Sequence, residues 1–212
     1  MDYKQQINDA RNERETGDLN KALEMFLQIN RDQLEPNQLF NYLGELGLTY
    51  WHLKRYDEAR ETFEDAKSQA EKSENSSQLA LAFRQLSRPE LNENNPSTAV
   101  EYAKKARELA KEAGRQDIAW FDHGVVTALI FNKNSQEEIR EWFEIEAKDL
   151  YEVSRDIDDD VAKWVWVIGL LMDRAKIFNT IGDLYIAQMI ADQFSLNRRK
   201  EQIEQMIQEF NN

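Results

Sequence analysis

Apolar residues fall at helical spacing along most of the chain. In GLTYWHLKRYDEARETFEDA, residues 47–66, the face begins a little upstream: Leu43, Leu46, Gly47 and Tyr50 recur at i, i+3, i+4 and i+7. Residues 54–57 interrupt that face, and Asp57 suits the acidic first turn of a new helix. Tyr56, Ala59, Phe63 and Ala66 then resume the spacing. The small residues at 47 and 59 let the two helices cross closely. The same order returns with Ala22 and Phe26, with Ala99, Ala103 and Ala106, with Ile139 and Phe143, and with Ala187. Each anchor has a first-helix stretch before it: Gly17 and Leu19, Phe83 and Leu86, Val126 and Thr127, then Ala175, Phe178 and Gly182. The anchors 22, 59, 99, 139 and 187 are separated by 37, 40, 40 and 48 residues. The pattern predicts five helix pairs.

The punctuation agrees. Pro36 and Pro96 suit first helical turns. Gly114 and Gly182 suit helix ends, and the acidic run at 156–160 suits a helix start. Leu196, Ile203, Ile207 and Phe210 form one apolar face in the tail, as expected of a helix covering the last pair. Pro89 interrupts the first helix of the third pair and predicts an end or a kink there. Trp164, Ile168, Leu171, Ala175 and Phe178 make one stripe, while Trp166 and Leu170 point elsewhere. That segment is expected to be covered on more than one side, or to present Trp166 and Leu170 to a second molecule.

Composition narrows the function. The 212 residues are 41% hydrophobic and 32% charged, with 7 glycines and 3 prolines, which favours long helices. A net charge of −13 repels phosphate backbones and anionic lipid, so nucleic acid and membrane partners are not expected. The first residues are polar, and the longest apolar run, 161–172, is too short to span a bilayer, so a cytoplasmic location is expected. The absence of cysteine removes disulfides, thiolate metal sites and a thiol nucleophile.

Catalytic signals are missing as well. His52 and His123 fall in different pairs at non-equivalent positions, and the expectation is one surface and one packed histidine, with no metal site. Asp156, Asp158 and Asp160 alternate like calcium-loop ligands, but Val161 stands where the turn needs glycine and Val167 where the bidentate glutamate belongs. There is no GxGxxG, P-loop, GxSxG or HExxH. Neither an enzyme nor a cofactor is expected.

The Leu-Gly-Tyr spacing of the first helix and Ala-Phe-Ala of the second resemble the tetratricopeptide repeat family. Its period is about 34 residues, so these units resemble the long-helix subclass of about 40, which includes bacterial peptide-sensing regulators. Ile139 departs from the pattern, where a small residue is usual. The resemblance implies an all-α right-handed superhelix in a single domain over 1–212. Its repeats are expected near 3–36, 40–75, 78–114, 116–155 and 160–195, with a capping helix near 197–210.

The resemblance also implies a concave groove lined by first helices. Its positions hold Ile7, Arg11 and Arg14, then Asn41, Gly44, Leu48, Trp51 and His52, and then Arg84 and Arg88. The fourth repeat places Phe121, Gly124, Ala128 and Phe131 there, and the fifth Met172, Lys176 and Asn179. Arginines that grip carboxylates, set among aromatic anchors, imply a partner peptide or helix with acidic and apolar side chains. The carboxylate clamp of chaperone-binding members is not reproduced. Its positions hold Ile7, Arg11, Glu45, Leu81 and Gln85, of which only Arg11 is basic.

The leading expectation is a non-catalytic interaction scaffold that binds through its groove. The alternatives are self-association through the Trp166 and Leu170 face, giving a homo-oligomer, and a sensor of short signalling peptides. The effector part that such sensors carry has no counterpart in these residues.

Overall fold

A computed structural model describes residues 2–16, 18–92, 95–154 and 160–211. The acidic run at 156–159 and Gly17 lie outside the described residues. The described residues form the helices α1 (Tyr3–Thr16), α2 (Leu19–Leu27), α3 (Pro36–His52), α4 (Tyr56–Lys72), α5 (Ser76–Asn92) and α6 (Pro96–Glu112). These are followed by α7 (Ile118–Phe131), α8 (Gln136–Ser154), α9 (Asp160–Phe178), α10 (Ile181–Gln193) and α11 (Asn197–Phe210). A 3₁₀ turn, Arg31–Gln33, sits between α2 and α3, and no strand occurs among the described residues. Nor is any described helix long and apolar enough to cross a membrane.

The helix boundaries have local causes. The Asp18 side chain accepts from the Asn20 N–H at 2.7 Å and starts α2. Pro36 and Pro96 open α3 and α6, where no N–H is needed. Five of the ends share one device. Lys54, Glu74, Lys133, Asn179 and Ser195 all take left-handed φ, from 51° to 62°. The N–H of the next residue then reaches back to a carbonyl five residues earlier. Arg55 donates to Tyr50 at 2.9 Å, Asn75 to Ala70 at 3.1 Å, Asn134 to Leu129 at 3.1 Å, Thr180 to Ala175 at 3.1 Å and Leu196 to Ala191 at 2.9 Å. Gly114, with φ 64°, is the glycine that takes this conformation. Gly182 does not: it lies in the first turn of α10, and Asn179 ends the helix before it.

The chain divides into two compact units, Met1–Gly114 and Arg115–Asn212. In the first, α1 packs on α2, α3 on α4 and α5 on α6, and α3 also touches α1 and α5. Its core joins Phe26, Phe40, Tyr42, Leu43 and Leu46, with a second cluster of Ala59, Phe63 and Leu86. In the second unit, α7 packs on α8, α9 on α10 and α7 on α9, and α11 closes on α10. Ile168, Ala175, Leu184, Ala187 and Ala191 meet Ile203 and Met206 of α11 there. The anchor residues of the repeated pattern are buried in every pair. Five helix pairs and a closing helix are therefore what the apolar spacing encodes.

Two details differ from expectation. Helix α5 runs through Pro89 to Asn92. Proline removes one N–H, but Pro89 is buried, and the next residue, Glu90, pairs with Arg60 of α4 at 2.8 Å, which fastens that turn to its neighbour. On α9, Phe178 is partly exposed and meets Phe143 edge-on, so the buried stripe stops at Ala175.

Candidate functional site

In the first unit the expected groove residues separate by burial. Arg11 and Asn41 are exposed, whereas Arg14 and Arg84 are buried at 4% and 6% exposure. The Arg14 guanidinium reaches Glu45 Oε2 at 2.6 Å and donates to the Glu45 main-chain oxygen at 3.0 Å. It therefore ties α1 to α3 instead of facing a groove. Ile7 belongs to the core. Gly44 is buried, and a side chain there would meet the Gln85 amide at 3.4 Å. Leu48 and Trp51 rest on the Ala59–Phe63–Leu86 cluster.

What stays accessible on α3 and α5 is a short polar–aromatic strip. The Arg88 guanidinium lies 5.1 Å from the centre of the Trp51 ring, and His52 meets that ring edge-on at 4.9 Å. The helical continuation through Pro89 keeps Arg88 in place. Trp51 is half-buried, and its indole Nε1–H has no hydrogen-bond acceptor; the Gln85 amide oxygen likewise has no donor. Buried polar atoms are nearly always paired, so this enclosed indole N–H beside an arginine is an exception; protein atoms cover it, and it meets an outside acceptor only when that cover moves.

In the second unit, Phe121 is buried at 1% exposure and Ala128 is also buried, so neither can anchor a ligand. Phe131 is 52% exposed, with the Lys176 ammonium 5.9 Å from its ring centre, and Asn179 is exposed at the end of α9. Trp166 and Leu170 are half-buried, and Trp166 lines an internal cavity. Exposed apolar side chains of this unit occur at Phe131, Tyr151 and Phe178, and three more, Tyr185, Ile186 and Met189, fall together on α10.

His52 and His123 fall in different helix pairs, and the expectation from sequence is one surface and one packed histidine. The fold brings His123 of α7 onto Glu146 of α8 and Asp173 of α9. Its Nδ1 lies 2.7 Å from Asp173 Oδ2 and 3.3 Å from Glu146 Oε1. Both carboxylates are 3% exposed. The ring packs against Gly169 on α9, where a Cβ would stand in ordinary contact, 3.4 Å from His123 Cε1. Burial alone would lower the imidazole pKa, but the carboxylates of Asp173 and Glu146 outweigh it and raise it from 6.5 to about 9. Burial, then the charges of Asp173 and Asp122, push Glu146 up to about 7 against the pull of His123.

The two carboxylates therefore favour the protonated imidazole at neutral pH. Because its folded pKa lies above its unfolded value, the stability linked to its proton is present below pH 6.5 and is lost as pH rises through about 9. Asp173 is the partner at the acid end, where Glu146 takes up its own proton. An imidazole NMR titration should place the His123 midpoint near 9. A midpoint at or below the ordinary 6.5 would contradict the ion pairing. No pattern at residues 123, 146 and 173 signals this convergence; it depends on how three helices pack.

Residues 38–112, from within α3 to the end of α6, match the tetratricopeptide repeat family. The search of curated proteins found no match. Among solved structures, the chain is similar to a protein from Podosopora anserina assigned as a kinesin light chain, with nearly identical TPR-like repeats. Identity is 16%, coverage 95% of this chain and 94% of that one, and the TM-score 0.62. A single-substitution variant of that protein gives 16% identity, coverage of 95% and 96%, and a TM-score of 0.61. BtubC (BKLC) from P. vanneervenii is 15% identical over 88% of this chain and 72% of that one, with a TM-score of 0.52. At such identities the likeness is one of fold.

Proposed function

We propose that this chain, whose residues 38–112 match the tetratricopeptide repeat family, is a non-catalytic scaffold that holds a segment of a partner protein on the α3/α5 face of its first unit. Such repeats are in general protein-interaction scaffolds. The observation that carries the reading is Trp51: a half-buried indole beneath Arg88 whose N–H is left without an acceptor. The ring offers an apolar anchor, the N–H suits a peptide carbonyl or carboxylate, and the arginine suits an acidic side chain. The partner segment therefore carries acidic and apolar side chains, as a protein loop, a helix or a short free peptide.

The test is a display selection of random peptides against the full chain, followed by affinity measurements. Trp51→Phe keeps the ring and loses the donor, and binding should weaken about tenfold. Arg88→Glu should weaken acidic peptides more, about a hundredfold. Melting temperatures should stay close to the wild type. Arg84 is unsuited to this test, because a glutamate in its buried position would disturb the fold. Peptides that bind all three proteins equally would refute the site.

A second reading, self-association, is favoured by the exposed Tyr185, Ile186 and Met189 of α10, the last 72% exposed. Light scattering separates the two: an oligomer that Met189→Glu turns into a monomer supports assembly, and a wild-type monomer at high concentration excludes it.

A further inference from the structure

The His123 cluster is not used by a peptide-binding face on the other unit. It joins one imidazole and two carboxylates from three helices, with one ligand atom from each within 4.8 Å of the others. A second observation points to an occupant. Glu146 Oε2 is buried and has no hydrogen-bond partner, and Glu146 and His123, though not Asp173, which meets His123 Nδ1, line a cavity of about 10 Å³. That is room for a single water-sized species. Trp120, Leu150, Val165 and Trp166 give the cavity apolar walls, and Arg199 also lines it.

We propose that His123, Glu146 and Asp173 bind one first-row divalent cation of the zinc type and thereby clamp α7, α8 and α9 together. Zinc binds imidazole nitrogen and carboxylate oxygen at about 2.0–2.2 Å, which sets such donors roughly 3.4 Å apart around one ion. The Nδ1–carboxylate separations of 2.7 and 3.3 Å need little expansion to reach that spacing. The ion takes the place of the proton on Nδ1, and the carboxylates keep facing a positive charge. Calcium fits poorly, because it needs six to eight oxygen donors and more space. A mixed nitrogen and oxygen donor set, with one position left for water, suits zinc, manganese or ferrous iron better. Buried acids held against one another are costly unless something positive joins them; the imidazolium and the Arg199 guanidinium supply part of that charge, and a divalent ion placed between the donors supplies it directly.

The experiment uses the full chain, freed of metal by dialysis against a chelator and titrated with zinc chloride in a calorimeter at fixed pH. Expected are one zinc per chain and a higher melting temperature. Affinity should fall about tenfold or more in Glu146→Gln and in Asp173→Asn, and should be unchanged in His52→Ala. Glu146→Gln is nearly isosteric, so a melting curve close to the wild type is expected of it, and it decides the matter even if a His123 variant unfolds. As an independent readout, cobalt bound to the wild type should give visible ligand-field absorption that Glu146→Gln alters. Three results would overturn the proposal: no zinc uptake, uptake indifferent to Glu146→Gln, or uptake abolished by His52→Ala alone.

Discussion

Gly47→Ala lowers the melting temperature of the first unit by roughly 10 °C, from an overpacking cost of about 1–3 kcal/mol. The reason is the closeness of α3 to α4. A Cβ at position 47 would stand 2.4 Å from Phe63 Cε1 and 2.6 Å from Cδ1, where no carbon can sit. Phe63 cannot swing aside, since it is fully buried against Ala59 and Leu86. The helices must part, and their core loosens with them. Phe63→Leu in the same chain should recover part of the loss, because the smaller side chain vacates the contested space. Phe63→Ala alone leaves a cavity and costs about 3–5 kcal/mol. Denaturation of the three variants and the Gly47→Ala/Phe63→Leu pair tests this. Strict additivity would show that residues 47 and 63 do not compete for one space.

The second large effect is at Arg14. Its guanidinium is 4% exposed and sits on Glu45, whose side chain is 23% exposed. Arg14→Met leaves that carboxylate largely buried with its cation gone. Breaking a buried pair costs about 3–5 kcal/mol, and the partial exposure of Glu45 brings the expected loss to about 2–3 kcal/mol. Arg14→Met/Glu45→Leu removes both charges and should return to within about 1 kcal/mol of the wild type. Chemical denaturation decides it. A double variant no better than Arg14→Met would mean that arginine packing, rather than the charge pair, holds α1 to α3.

These two sites show where the sequence speaks and where it does not. Gly47 and Phe63 were legible because helix crossing leaves a local trace, a small residue on one helix and a ring on the next at fixed spacing. The same trace gave the five pairs and the closing helix of Ile203 and its neighbours. Arg14 and Arg84 were not legible. An arginine at a first-helix position reads as groove-facing, and only tertiary packing shows that it has been drawn inside. Pro89 misled for the opposite reason: the local rule against helix was overridden by burial and by the Arg60–Glu90 pair. The His123 cluster left no trace at all, because its members sit on three helices and meet only when α7, α8 and α9 are assembled.

The measurement that most directly tests the interaction face is an NMR titration of the labelled full chain with a selected acidic–apolar peptide. The Trp51 indole N–H signal is assigned by its disappearance in Trp51→Phe. If the α3/α5 face is the docking site, that signal moves as the N–H gains its acceptor, and the Arg88 side-chain signal moves with it. If the peptide binds while both signals stay fixed, the docking site lies elsewhere and the reading of Trp51 is wrong.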